Sequence, residues 1–480
     1  MSEREQRFSD RMSDAEALMW NVEKDPWLNP SGGSLTMLDH PPDREHFEQT
    51  MRVAAAKLPR LYERVVPGLG RIAPPAWVPD AEFDFDYHVR YLRLPAPGST
   101  RQLFDLATQL YLEPLDRTRP LWRFVVIEGL ADGRAALWSI LHHAVADGIG
   151  QMRMAELFQQ FAPDAPPPDA VDLDAVIAAA VEAHDAKQLG GDLAEGLPTT
   201  VVQSVGHLVR RQAGVARRAL GEVAMWPADP ERARQRLDDA TGSVSATVNS
   251  LRRTGDEVAG GSPLWKHRSR HRHLEEVTST LSGLKKASKR ADVTINDLFL
   301  AAMAEGAARY HHERGVEVEA FNSSFVLSTR HDDAVGGNSF TPVPVQLPGE
   351  ETSLDARIAD IHQRLAAKRE AMSHGGGLGA LSSVANLFPT SMVTSMARAQ
   401  AAKIDFATSN LRGSPIPLYV SGARVDRLIA MGPVAGTACN ATALSYEDHF
   451  VVGIFLDPVA IDAPGDFRDA VASAFDDIVS

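Results

Sequence analysis

Cysteine is almost absent. The one residue, Cys439 among 480, rules out intrachain disulfides and cysteine-based metal clusters and suits a reducing cytoplasm. It carries no nucleophile signature and is expected to be a small buried side chain. Basic residues are outnumbered, 49 Lys and Arg against 63 Asp and Glu, for a formal net charge of −14, which argues against a nucleic-acid partner because phosphate binding needs a basic surface. No run of about 18 predominantly apolar residues exists, so no transmembrane helix is expected. The opening residues, Met1 to Arg7, lack the apolar core of a signal peptide. Ala371 to Ala397 holds no Asp, Glu, Lys or Arg; its glycines, serines and Pro389 make it a poor span, and it reads as a packed small-residue segment or a lipid contact. The helical H-E-x-x-H pair of a zinc site is missing too, as is any solenoid repeat.

What is present supports two domains, since 480 residues at 44% hydrophobic content exceed the size at which single cores stop growing, about 250 to 300 residues. Leu121–Ile127 and Ala135–Leu141 read as two apolar strands around an Asp132-Gly133 turn. The second strand ends in His142-His143-Ala144-Val145-Ala146-Asp147-Gly148. Successive strand side chains point to opposite faces, so the two histidines diverge; one is free for chemistry while the other packs. That divergence also argues against a shared metal. Ile149, Met152, Leu157 and Phe161 follow at helical spacing, which places Asp147 to cap the helix and fix the loop, with Gly148 and Gly150 easing the turn. Read alone, the heptad fits a packed core histidine as well as a catalytic base.

Asp43–Leu58 has an apolar face at Phe47, Met51 and Leu58, Phe83–Leu94 looks extended, and Ser99-Thr100-Arg101-Gln102 opens a helix that buries Leu103, Phe104, Ala107, Leu110 and Tyr111. The proline-rich segment Ala162–Pro168 marks a stiff surface stretch. Domains are expected at 1–195 and 261–480, joined by connecting helices over 196–260, where Arg210, Arg211, Arg217 and Arg218 form a solvated face or a site for anionic groups. In the second half, strands are expected near His271–Thr278, Phe325–Ser328, Val343–Leu347, Leu418–Val420 and Val451–Leu456. Helices are expected at Leu284–Lys289 and Ile295–Tyr310. Thr294-Ile295-Asn296-Asp297 has capping-box spacing, which explains Asp297 but leaves Asn296 without a structural duty.

The heptad, preceded by Pro114-Leu115-Asp116-Arg117-Thr118-Arg119-Pro120-Leu121-Trp122, strongly resembles the bacterial wax ester synthase/acyl-CoA:diacylglycerol acyltransferases. Ser13 to Glu16, Phe83-Asp84 with His88-Val89-Arg90, Asn296-Asp297, Gly337-Asn338, and Ser409-Asn410 with Pro417-Leu418-Tyr419 and Gly422-Ala423 resemble further blocks in the family's order. Asn410-Leu411-Arg412-Gly413-Ser414-Pro415 departs from the expected Asn-Val-Pro-Gly-Pro and bears on acceptor choice.

The resemblance implies an α/β (α+β) chloramphenicol acetyltransferase-like fold of two domains with a tunnel between them. It implies His143 as base, with His142, Asp147 and Gly148 shaping the site. Acyl-CoA is then the co-substrate, no other cofactor is expected, and diacylglycerol or a long-chain alcohol is the acceptor. A histidine with an ordinary pKa near ~6.5 suits proton removal from an alcohol, and Asn296 is the candidate oxyanion donor. Water-insoluble substrates without a spanning segment imply a cytoplasmic protein attached peripherally to membranes or lipid droplets. The heptad is shared by carrier-dependent condensation enzymes of peptide and polyketide synthesis, which stay open as an alternative, as does a non-catalytic lipid-binding protein.

Overall fold

Apolar alternation and turn chemistry place the strand pair that carries the histidines where the sequence puts it. The computed structural model describes residues 10–68, 74–146, 148–189, 261–328, 340–373, 390–433 and 435–480. Its strands in chain order are β1 Ser31–Leu38, β2 Glu63–Val66, β3 Ala76–Pro79, β4 Val89–Arg93, β5 Trp122–Glu128, β6 Ala135–His142 and β7 His273–Thr280. They continue as β8 Ala320–Ser328, β9 Phe340–Pro348, β10 Phe406–Arg412, β11 Tyr419–Val420, β12 Ala423–Met431, β13 Cys439–Tyr446 and β14 His449–Leu456. β5 and β6 pair antiparallel through a turn in which Asp132 takes φ 62° and Gly133 φ 74°, the left-handed region that glycine and aspartate tolerate best.

Among the described residues, two six-stranded sheets form, in the orders β11-β12-β1-β6-β5-β4 and β7-β14-β13-β10-β8-β9, beside a β2-β3 hairpin. β6 lies inside the first sheet with all eight residues buried, which is why it reads as a continuous apolar run. The core beneath it includes Leu35, Phe47, Tyr111, Trp122 and Trp138; each such side chain contributes about 1.5–3 kcal/mol on burial. A second core gathers Trp265, Phe299, Tyr310 and Phe321 around the other sheet.

Residues 261–480 contribute strands to both sheets: β12 pairs antiparallel with β1, Leu35 opposite Ile429, so a segment of the second half completes the sheet that holds the histidines. Strand pairing is a long-range choice that no local pattern encodes. Phe83–Leu94 is not extended throughout, because Asp84 Oδ1 accepts from the Asp86 and Tyr87 N–H groups and caps the single helical turn Phe85–His88 before β4. Finally, the helix after the heptad spans only Gly148–Ala155. Phe158 takes the core position, edge-on to Phe124 at 5.2 Å, whereas Phe161 lies past the helix and is 70% exposed. Cys439 is buried as expected.

Candidate active site

His142 closes β6 and is fully buried. Its own N–H donates to Leu121 O at 3.0 Å, and its carbonyl accepts from Val145 N–H at 2.9 Å, which closes the turn. The Ala144 N–H donates to His142 Nδ1 at 2.9 Å. Nδ1 therefore serves as the acceptor within this turn. Nε2 faces Glu23 Oε2 at 3.4 Å, and the ring meets Trp20 edge-on with centroids 6.3 Å apart. Both nitrogens thus face protein groups that hold the turn.

Arg117 supports this arrangement from behind. Its guanidinium pairs with Glu23 at 3.1 Å, donates to Trp20 O at 2.8 Å, and lies 3.4 Å from the centre of the Trp20 ring, combining a charge-assisted bond with cation–π contact. The rest of the Pro114–Trp122 segment is similarly engaged. Asp116 Oδ1 accepts from the Thr118 N–H and hydroxyl at 2.9 and 2.7 Å, and Arg119 lies over Tyr87 at 4.4 Å. Trp122 Nε1–H donates to Leu61 O at 2.7 Å, while its carbonyl accepts from His88 Nδ1–H at 2.8 Å. The segment is a buttress for the histidine turn.

His143 stands in the turn itself, 8% exposed, on the side of β1. A Cβ added to Gly32 would stand 3.3 Å from His143 Nε2 and 3.1 Å from Gln151 Nε2. Glycine at 32 therefore leaves open the space into which both side chains point. Gln151, on the helix Gly148–Ala155, is anchored by its own donation to Ala146 O at 3.2 Å. Gly148 begins that helix; Asp147 lies outside the described residues, as do Gly337, Asn338 and Arg210 to Arg218. Sequence reasoning missed Gly32, Gln151 and Glu23. The only local hint was the Gly32-Gly33 doublet inside a strand.

A cavity of ≈ 460 Å³ shares Gln151 with this point and is lined from both halves of the chain, by residues that include Gly33, Ser139, Gln151, Phe161 and Ile416. The departing segment Leu411–Pro415 contributes to its wall.

Asn296 is half-buried at the start of the helix Ile295–His312, whose packing partners are the helices Pro464–Val479 and Leu354–Ser373. The expected capping box is present, with Asp297 N–H donating to Thr294 Oγ1 at 3.1 Å and Thr294 N–H donating to Asp297 Oδ2 at 3.0 Å. Asp297 also binds His362 Nδ1 at 2.7 Å and Arg369 Nη2 at 3.0 Å. Burial pushes its carboxyl upward, but the bonds from His362, Thr294 and Arg369 prevail and hold it below the ordinary aspartate range. The structure thus brings together His142, His143 and the start of the Gly148 helix, and Asn296 opens the helix Ile295–His312 next to the Asp297 cluster.

Comparison with known proteins shows what the chain is similar to. The model for the wax ester synthase/diacylglycerol acyltransferase catalytic domain matches residues 12–299, and that for the family's C-terminal domain matches residues 336–479. A putative diacylglycerol O-acyltransferase of Mycobacterium tuberculosis is 31% identical over 462 residues, covering 91% of this chain and 87% of that protein. Another from the same organism is 28% identical over 479 residues, covering 99% of this chain and 92% of the relative. Among solved structures, the wax ester synthase/diacylglycerol acyltransferase of Marinobacter aquaeolei VT8 superposes with a TM-score of 0.62 at 18% identity, covering 98% of each chain. The first condensation domain of the calcium-dependent antibiotic synthetase follows at 0.57 and 15%, covering 99% of this chain and 98% of that one. These likenesses bear out the two-domain α+β acyltransferase fold. With both domain models matched in order and a relative above 30% identity over most of its length, the chain belongs to the wax ester synthase/diacylglycerol acyltransferase family.

Proposed function

We propose that this acyltransferase transfers a long-chain acyl group from acyl-CoA to the hydroxyl of diacylglycerol or a long-chain alcohol, with His143 as general base. The observation that carries this reading is the division between the two histidines. His142 is tied up by Ala144 and Glu23, whereas His143 Nε2 borders the opening kept by Gly32.

An alcohol attacks a thioester slowly at neutral pH because its proton must leave as the new bond forms. His143 accepts that proton, the alkoxide oxygen adds to the thioester carbonyl, and collapse of the tetrahedral adduct expels CoA thiolate, which takes the proton back. Such general-base help accelerates a reaction by about 10² to 10⁴. No acyl-enzyme is needed. His142, Asp147 and Gly148 shape the turn, and Asn296 is assigned the oxyanion hydrogen bond, worth roughly 2.7 to 4 kcal/mol.

Among the described residues no helix is long and apolar enough to cross a membrane, so the lipid substrates are met by peripheral attachment to a membrane or droplet surface. The deciding experiment gives purified protein palmitoyl-CoA with diacylglycerol and hexadecanol in competition and identifies the esters by mass spectrometry. Triacylglycerol or wax ester formed from free acyl-CoA supports the reading; turnover only with a carrier-bound acyl group sinks it in favour of a condensation enzyme.

A further inference from the structure

We propose that the Gln151 carboxamide holds the acceptor hydroxyl for attack, its Nε2–H donating to the hydroxyl oxygen while His143 Nε2 takes the hydroxyl proton. This rests on the function proposed above. It adds a second group at the reacting oxygen and a reason for choosing an oxygen nucleophile over a sulfur one.

Local structure brings the two side chains to one spot. β6 ends at His142, and the helix Gly148–Ala155 begins directly after the heptad turn, so Gln151 follows within the first helical turn. A Cβ built on Gly32 would stand 3.1 Å from Gln151 Nε2, 3.2 Å from Gln151 Oε1 and 3.3 Å from His143 Nε2. Three polar atoms from the turn and its helix therefore converge beside a strand backbone that carries no side chain there. Imidazole and carboxamide are close enough to touch a single small group together. Gly32 is held in place by its pairing with Leu141 of β6.

The amide is oriented before any ligand arrives. Gln151 Nε2 donates to Ala146 O at 3.2 Å. Only the nitrogen end can donate to a carbonyl, so this bond sets which way the carboxamide lies. An amide nitrogen carries two N–H groups; one is used on Ala146, and the other serves a group at the opening. His143 is 8% exposed and Gln151 half-buried, which limits competition from water.

The chemistry follows from these directions. The hydroxyl hydrogen passes to His143 Nε2 as the new C–O bond forms. Of the two lone pairs on the hydroxyl oxygen, one accepts from Gln151 Nε2–H and the other attacks the thioester carbon, whose C–S bond then breaks to release CoA thiolate. The Gln151 bond fixes the rotation of the hydroxyl and strengthens as negative charge gathers on the oxygen. A thiol presents sulfur, a weak acceptor, and forfeits that bond.

The test uses the full-length protein as wild type, Gln151→Met and Gln151→Glu, with palmitoyl-CoA and either hexadecanol or hexadecanethiol. Ester and thioester are quantified by mass spectrometry after subtracting the enzyme-free reaction, and melting temperatures are measured alongside. Both replacements keep the length of the side chain and remove its N–H groups. We expect the alcohol-over-thiol ratio of kcat/KM to fall about 10-fold in each, the scale of one lost hydrogen bond. Should Gln151→Met fail to fold, Gln151→Glu, which keeps a polar side chain of the same shape, carries the test. An unchanged ratio overturns the assignment, whether both rates fall together or neither moves; a joint fall means that the amide serves the thioester carbonyl or only ties the turn through Ala146. With ester formed by the wild type, those results strike the Gln151 assignment alone. A wild type that forms neither product defeats the proposed function, and this assignment with it.

Discussion

The Ala144 backbone donates to His142 Nδ1 across 2.9 Å, so the first histidine of the heptad is a tie within its own turn. We predict that His142→Ala lowers the melting temperature by several degrees, because it opens a hole in a fully buried site and leaves the Ala144 N–H unpaired, at about 1–3 kcal/mol. His143→Ala should melt close to wild type and lose about 10² to 10⁴ in kcat. Thermal melts set beside steady-state rates check this; equal melting of the two variants with equal loss of activity contradicts the assigned roles.

Gly32→Ala puts a methyl 3.3 Å from His143 Nε2 and 3.1 Å from Gln151 Nε2. Gln151 or the imidazole must shift by a few tenths of an ångström. Misplacement on the scale of 1 Å costs about 10² in rate, so a loss of about 10-fold in kcat is expected with little change in melting temperature. A fully active Gly32→Ala enzyme shows that His143 does its work on another side.

Arg117→Met removes the cation that covers Glu23 beside His142. The pair is half-sheltered, and breaking it should cost about 2 kcal/mol, between the exposed and buried extremes. Because the harm comes from stranding Glu23, adding Glu23→Gln should restore part of the lost stability. A double-mutant cycle measures that coupling; strict additivity contradicts the buttress.

Asn296→Ala should lower kcat about 10²-fold or more with KM and melting temperature nearly unchanged, since an oxyanion bond strengthens only as charge develops. A destabilised variant whose folded fraction turns over normally reduces Asn296 to a structural amide.

Burial pulls His88 down to about 4, and His311 likewise to about 4. The unfolded chain therefore binds protons first, near ~6.5, and stability rises with pH across the window from about 4 to 6.5. Each histidine contributes about 3 kcal/mol above that window, lost as the pH falls through it. Replacing His88, stacked between Phe83 and Trp122 at 5.2 and 4.5 Å, by Phe should flatten the loss of melting temperature between about pH 7 and pH 5. An unaltered slope shows that other groups set the acid lability.

Much was legible in the residues alone because the signals are local. The β5–β6 hairpin follows from an apolar run broken at Asp132-Gly133, the helix Thr100–Leu112 from its Ser99 and Gln102 capping box, and the divergence of His142 and His143 from the alternation of a strand. Cap and alternation are short-range physics. They survive whatever the rest of the chain does. The Phe161 expectation fails for the opposite reason: periodicity said helix, but the Gln160–Tyr419 bridge captures that backbone first, and a strand pairing formed across the fold overrides a marginal helical turn.

The sequence by itself determined the chemistry on offer: a histidine pair closing a buried strand, no thiol chemistry, and motif blocks in the order of one acyltransferase family. The tertiary structure alone decided which histidine faces the open space and what stands around it. Glu23, Arg117, Gly32 and Gln151 come from a helix cap, a loop, a strand and a helix, and β12 reaches the histidine sheet from nearly three hundred residues away in sequence. No local propensity specifies those meetings. They are fixed by which apolar faces can be buried together, a choice made by the whole chain at once.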